Sequence, residues 1–143
     1  MAELRHQILI KAAPAKVYAA IATQAGLAGW WTADSKTEDE DKVGGKAEFG
    51  FDKRGTVFLM KIDKLEAARQ VVWSCYGGPP EWDGTTLTWD LSPQGEDTTL
   101  RFTHGNWKSA NDYYAMCNST WGELVYRLKN YVEGKNPGPH WKE

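Results

Sequence analysis

The apolar residues of this chain change their spacing once, and that change restricts the fold more than any other feature. Between Ala47 and His104 they alternate with polar residues in several short runs, which is typical of strands with one buried face. Between Tyr114 and Val132 they recur every three or four residues, as along one side of a helix. A sheet with one apolar face and a helix with one apolar side bury these surfaces against each other.

The alternating runs predict an antiparallel sheet. Turn residues, such as those in the segment SPQGED, separate neighbouring runs. Strands spaced this closely form an antiparallel meander with one face in water. The residues predicted to face inward are Ala47, Phe49 and Phe51; Phe58, Met60 and Ile62; Val71, Trp73 and Cys75; Leu87, Trp89 and Leu91; and Leu100, Phe102 and His104.

The N-terminal part predicts one strand followed by short helices. Residues 3–10 end in an apolar cluster and predict a strand, while the acidic and then glycine-rich segment at 37–46 predicts a solvated edge and turn. Pro14 suits the first position of a helix. Residues 24–31 predict a second short helix or a turn, which glycines weaken.

The C-terminal part predicts one long helix from Asn111 to Val132. Gly134 ends this helix, and Pro137 and Pro139 prevent it from starting again. No repeat or linker divides the sequence, so we expect one domain over residues 1–143.

Composition excludes several classes of function. Lys and Arg number 17 against 19 Asp and Glu, so the net charge of −2 gives no reason to expect nucleic acid or an anionic membrane as a partner. The longest uncharged run, residues 17–33, is too polar to span a bilayer, and the charged N-terminus does not resemble a signal peptide. Two cysteines do not form a disulfide framework. We therefore expect a cytoplasmic protein with free thiols.

The sequence predicts neither a metal nor a cofactor. His6, His104 and His140 are scattered, and no histidine or cysteine pair has the spacing of metal ligands. Glycine-rich phosphate-binding loops and the nucleophile motif of serine hydrolases are also missing from the sequence.

Three segments carry a resemblance to a known family. The segments IKAAPAKVYAAIATQAGLAGWW, TLRFTHGNW and STWGELVYRLKNYVEG resemble the activator of heat-shock-protein-90 ATPase homologue family, in its stand-alone, single-domain form, within the START-like, birch-pollen-allergen-like (SRPBCC) superfamily. The resemblance implies an α+β helix-grip fold, in which a curved antiparallel sheet wraps a long C-terminal helix and two short helices follow the first strand. The segment from Gly77 to Asp83 and the pair Gly44-Gly45 follow no pattern of the family that we can transfer, which leaves the ligand open.

Eight tryptophans in 143 residues predict a cavity as well as a core. Large rigid rings fill a small core poorly, and clefts lined by aromatic side chains bind small apolar ligands. Neighbours on a helix lie about 100° apart, so we expect the rings of Trp30 and Trp31 not to stack. One of them is predicted to close the core, and the other to border the mouth of the cleft.

His104, Cys75 and Cys117 are residues with a polar group that we expect near this cavity. A ligand or water could bond to a ring nitrogen of His104; alternatively, His104 ends its strand and bonds to the backbone of the following loop. No base is expected near either thiol, which favours inert packing for Cys75 and Cys117. The predicted ligand-contacting residues are Trp30, Trp31, Phe58, Met60, Trp73, Trp89, Phe102, His104, Trp107 in a loop, Tyr114, Cys117 and Trp121.

Three functions follow as hypotheses. The first is the binding of a small hydrophobic or amphipathic molecule, lipid-like or polyketide-like, between the sheet and the C-terminal helix. The second is a cyclase, dehydratase or hydrolase in which His104 is the acid or base. The third, implied by the resemblance, is a co-chaperone-like interaction with a heat-shock protein. Co-chaperone members carry an additional N-terminal domain that these residues do not include, so we favour ligand binding over this role. We also favour ligand binding over catalysis, although the sequence leaves the enzymatic alternative open.

Overall fold

The structure, a computed structural model, describes residues 2–142 and confirms the predicted α+β architecture. Seven strands form one antiparallel sheet in the order β1-β7-β6-β5-β4-β3-β2. Irregular pairing between β4 and β5 adds to the curvature of the sheet. The strands are β1 Ala2–Ile10, β2 Ser35–Glu38, β3 Lys46–Phe51, β4 Thr56–Glu66, β5 Gln70–Gly77, β6 Thr86–Gln94 and β7 Asp97–Trp107.

Each helix begins and ends where local chemistry dictates. The helices are α1 Pro14–Ala22, α2 Gln24–Trp30 and α3 Asp112–Val132. The hydroxyl of Thr23 accepts a hydrogen bond from the amide of Gly26 at 3.0 Å and caps α2, while Asn111 caps α3 through the amide of Tyr114 at 3.1 Å. Gly134, with φ of 86°, follows the end of α3. These are the two short helices and the long C-terminal helix of a helix-grip fold.

The alternation in the strands corresponds to burial in the structure. In β6, Leu87, Trp89 and Leu91 are buried, whereas the residues between them are partly exposed. The buried side of α3, which includes Trp121, Leu124 and Leu128, belongs to the same core. The core therefore lies between the concave face of the sheet and the helices.

One local prediction is wrong. Trp107 was expected in a loop, but it ends strand β7, because β1 continues to Ala2 and Ala2 pairs with Trp107. Pairing with a neighbouring strand here overrides the local signal. The segment at 37–46, expected to form a solvated edge and turn, begins in the edge strand β2, where Thr37 and Glu38 pair with the start of β3, and continues as bends and turns over 39–44.

Helices α1 and α2 pack closely because Gly26 has no side chain. A Cβ atom added to Gly26 would lie 2.5 Å from the carbonyl oxygen of Ala20 and 2.6 Å from its Cα, both of which are backbone atoms. The indole of Trp30 donates to the same carbonyl oxygen at 2.9 Å. The α1–α2 corner thus holds Trp30 in the core.

Side chains bond to main-chain groups along both edges of the sheet. On β1, the carbonyl of Glu3 accepts from the Tyr114 hydroxyl at 2.8 Å, and the carbonyl of Leu9 accepts from Lys129 at 3.0 Å. On β2, the amide of Thr37 donates to the side chain of Gln24 at 2.8 Å. Helices α2 and α3 are therefore tied to opposite edges of the sheet.

We expect Gly26→Ala to lower the free energy of unfolding by about 2 kcal/mol, because the added methyl group would collide with backbone that cannot yield without moving α1. Gly122→Ala is the matched control on α3, where a Cβ atom would make an ordinary contact of 3.5 Å with the His6 ring. We expect this control to raise stability by about 0.5–1 kcal/mol, since alanine favours a helix over glycine. Urea unfolding measures both, and shifts of the same sign would contradict the prediction.

Candidate functional site

A cleft of about 180 Å³ lies between α3 and the strand pair β3–β4. Helix α3 contributes one wall, strands β3 and β4 contribute the opposite wall, and three segments outside the helices and strands contribute one tryptophan each. Exposed Thr56 and Met116 lie where the cleft meets solvent. The lining residues are Trp31, Phe51, Thr56, Phe58, Trp82, Tyr113, Met116, Cys117, Thr120, Trp121, Leu124 and Trp141.

Aromatic rings form most of the walls of the cleft. Phe58 stacks on Trp82 with ring centroids 4.1 Å apart, and Phe51 lies edge to face with Trp141 at 4.8 Å. On the helix side, Trp121 contacts Trp31 at 5.3 Å. Rings in mutual contact restrict one another, so they present rigid, flat, apolar surfaces to anything bound between them.

Trp30 and Trp31 stack, contrary to the expectation from helical geometry. Their ring centroids lie 5.9 Å apart and their planes differ by 17°. The prediction is wrong because α2 ends at Trp30: Trp31 is the residue after the helix, with φ of −97° and ψ of −84°, and the 100° rule does not apply to it. Trp30 packs in the core, and Trp31 lines the cleft.

The loop between β5 and β6 turns back to place Trp82 in the cleft. Gly78, with φ of 120°, approaches the backbone of β4 so closely that a Cβ atom would lie 2.8 Å from the carbonyl oxygen of Val57. The amide of Trp82 donates to Pro79, and the hydroxyl of Thr85 donates to the carbonyl of Trp82 at 2.6 Å. This is the loop whose sequence followed no transferable pattern, so its tryptophan escaped prediction.

His104 is fully buried, and its two ring nitrogens are both bonded to side chains. Its Nδ1 accepts from the indole of Trp121 at 3.1 Å, which assigns the proton to Nε2; Nε2 then donates to the hydroxyl of Thr85 at 2.9 Å. Burial lowers the pKa of His104 to about 3. The imidazole is therefore neutral and has no free nitrogen for proton transfer. The sequence suggested a ligand or the backbone of the following loop as partners of His104. Its ring nitrogens instead bond to the side chains of Trp121 and Thr85.

Tyr113 and Cys117 add polar atoms to the cleft without adding charge. Burial raises the pKa of the Tyr113 phenol and that of the Cys117 thiol, so both are protonated at neutral pH. The indole N–H of Trp82 lies near the Tyr113 hydroxyl and the Cys117 sulfur, where it opposes the rise in both pKa values. It makes no hydrogen bond to either group. Among residues 2–142, no Asp, Glu, Lys or Arg lines the cleft, which favours an uncharged ligand.

The structure brings together only some of the residues predicted from the sequence. Trp31, Phe58, Cys117 and Trp121 line the cleft. The other predicted residues are buried or half-buried beside it: Trp30, Met60, Trp73, Trp89, Phe102, His104, Trp107 and Tyr114. Whether any of these residues contacts a ligand stays a prediction.

None of the other lining residues was among those predicted to contact a ligand. Phe51 had a usable signal, since it continues the inward alternation of β3, and Tyr113, Met116 and Thr120 flank the apolar side of α3. No sequence signal marks Trp82 or Trp141, because both lie in segments without periodicity.

Within residues 2–142, no group of three or more His, Cys, Asp or Glu side chains could hold a metal ion. The helices of the same range include none that is both long and apolar enough to cross a membrane.

Acid should destabilise the protein through His104. Its pKa is about 3 in the folded state, whereas a histidine in an unfolded chain titrates near about 6.5. The unfolded state therefore binds more protons below about pH 6.5, and the free energy of unfolding falls as pH decreases, by at most about 1.4 kcal/mol per pH unit from this residue. We expect a shallower fall for His104→Gln in urea unfolding between about pH 6.5 and about pH 4. An unchanged slope would contradict the prediction.

Comparison with known proteins places the chain in a family. The sequence profile of the family described as "Activator of Hsp90 ATPase homolog 1-like protein" matches residues 11–133. Among curated protein sequences, none is significantly similar to this chain.

Solved structures show the same fold. The chain is similar to Aha1 from Colwellia psychrerythraea, solved in solution as a dimer, with a TM-score of 0.83 and 36% identity over 94% of this chain and 98% of that one. It also resembles MLL2253 from Mesorhizobium loti, with a TM-score of 0.79 and 17% identity over 92% and 97% of the two chains. DynU16, a protein in the dynemicin biosynthetic locus, gives a TM-score of 0.77 and 22% identity over 96% of this chain and 49% of that one. The chain belongs to the family of activator of Hsp90 ATPase homologue 1-like proteins.

Proposed function

We propose that this protein binds a small, uncharged, hydrophobic molecule in the cleft between α3 and strands β3–β4, and that it does so in the cytoplasm. The observation that carries the proposal is the lining of the cleft, in which four tryptophans and two phenylalanines surround the space and no charged side chain from residues 2–142 takes part. Apolar walls with few polar groups are typical of sites for small molecules.

The size of the cleft favours a compact ligand. An apolar cavity of about 150 Å³ holds a benzene-sized guest. The cleft, at about 180 Å³, therefore accommodates one or two fused rings, or that part of a larger molecule. A fatty acid would bring a carboxylate, for which the part of the lining that the structure describes offers no cation, so a neutral aromatic or alicyclic ligand fits better.

One structural neighbour is in keeping with this proposal. DynU16 is described as a protein of a biosynthetic locus and has the same fold. The geometry of His104 gives no support to the enzymatic alternative, because both of its ring nitrogens are occupied and its lowered pKa leaves it neutral.

A cleft-filling substitution tests the proposal. Thr120 lines the cleft on α3, so Thr120→Phe should place a ring in the space that a ligand would occupy. We expect the affinity for naphthalene, measured by fluorescence, to fall at least about tenfold, a loss of about 1.4 kcal/mol. Ser119→Phe is the matched control, since the exposed neighbour Ser119 does not line the cleft.

The indole N–H signals in an NMR titration identify the site directly. We expect saturable shifts for Trp31, Trp82, Trp121 and Trp141, which line the cleft, and smaller shifts for the other four tryptophans. Equal affinities of the two phenylalanine variants, or no saturable shift with naphthalene and related neutral ring compounds, would reject ligand binding in this cleft.

A second candidate function rests on the family itself. The family is named for activation of the Hsp90 ATPase, and the chain is 36% identical to a protein called Aha1. If this protein is a co-chaperone, adding it to purified Hsp90 should raise the rate of ATP hydrolysis. Equal stimulation by Thr120→Phe would show that this role does not use the cleft, and no stimulation by the native protein would reject the role.

A further inference from the structure

The C-terminal strap, which we define as residues 134–142, leaves α3 and returns to the cleft. It lies outside residues 11–133, which match the family profile. Within the strap, Trp141 is the only large apolar side chain, and its ring lines the cleft beside Phe51. The site of this protein therefore includes a wall that the matched region of the family does not contain.

Main-chain hydrogen bonds hold one side of the strap. The amide of Trp141 donates to the carbonyl of Trp31 at 3.0 Å, and the amide of Ala33 donates to the carbonyl of Trp141 at 2.8 Å. The amide of His140 donates to the carbonyl of Trp30 at 3.2 Å. The strap thus pairs with the segment that follows α2, and this pairing fixes the Trp141 ring over the cleft.

Two side chains of α3 hold the other side of the strap. The Arg127 guanidinium donates to the carbonyls of Gly138, Pro137 and Pro139 at 2.8, 2.9 and 3.2 Å. His140 and Glu123 lie 2.9 Å apart between Nε2 and Oε1. All these anchors are polar, and Glu123 is exposed to water.

This anchoring differs in kind from the packing of the core. The strands and α3 are held by a large cluster of buried apolar side chains, whereas the strap contains one half-buried indole, and its other residues are half-buried or exposed. A segment with few apolar contacts opens at a much lower free energy than global unfolding. The strap is therefore able to leave its position while the sheet and helices stay folded.

We propose that the strap is a removable wall of the cleft: it opens to admit the ligand, and its Trp141 ring, when seated, limits the size of the ligand. This inference rests on the proposed ligand-binding function. In this proposal the Trp141 ring limits the size of the ligand, and the hydrogen bonds of Arg127 stabilise the closed position of the strap.

Hydrogen exchange tests the opening of the strap without any ligand. The Ala33 amide is bonded only to the strap, whereas the nearby Gly50 amide is bonded to the carbonyl of Asp34 at 2.9 Å. We expect Arg127→Ala to accelerate exchange at Ala33 at least about tenfold, equivalent to about 1.4 kcal/mol, and to leave Gly50 unchanged. Arg101→Ala, which removes an exposed arginine on β7, is the matched control and should change neither amide. An unchanged Ala33 amide, or equal acceleration of both amides, would overturn the proposal.

Two probes of different size test the limit on the ligand. We expect the native protein to bind naphthalene and to bind the longer N-phenylnaphthylamine weakly, and Trp141→Ala to bind the longer probe at least about tenfold more tightly. Equal affinity of the longer probe for both proteins would overturn the role of Trp141 and leave ligand binding intact. If neither protein binds either probe, the proposed function fails and the size limit fails with it, even where hydrogen exchange shows the strap opening.

Discussion

The packing of the Trp121 ring against the sheet is the contact on which the rest of the structure depends. Trp121 reaches from the middle of α3 to Phe102 on β7, with ring centroids 4.3 Å apart, and its indole donates to His104 on the same strand. It also touches Trp31 at the end of α2 and lies parallel to Trp82 at 6.0 Å. A single side chain thereby sets the position of the long helix, the orientation of a buried imidazole and the inner end of the cleft.

The cleft exists because α3 is held to the sheet unequally along its two sides. Toward β1 the helix is tied by the Tyr114 and Lys129 hydrogen bonds, whereas toward β3 and β4 it faces Phe51 and Phe58 across open space. Trp82, from the loop between β5 and β6, and Trp141, from the C-terminal strap, cover part of that space without closing it. The cleft therefore has two walls on regular structure, α3 and β3–β4, and two further tryptophans whose positions depend on segments outside regular structure.

Sequence reasoning recovered the fold because periodicity reports which face of an element is buried. It placed Leu87, Trp89 and Leu91 inward and ended the last helix near Gly134, as the structure confirms. It could not recover the cleft to the same extent. Stacking of Trp30 on Trp31 depends on where α2 stops, and a shift of one residue changes the direction of a whole ring. Trp82 and Trp141 reach the cleft through turns and tertiary hydrogen bonds, which leave no period in the sequence.

The side-chain bonds at the two edges of the sheet have a consequence for behaviour in concentrated solution. Exposed edge strands are templates on which another chain can add a strand and begin to aggregate. Here Tyr114 and Lys129 occupy acceptors on β1, and Gln24 occupies a donor on β2, so an incoming strand would have to displace these side chains before it could pair at those positions. The same helices that enclose the core thus also oppose the addition of a strand at either edge of the sheet.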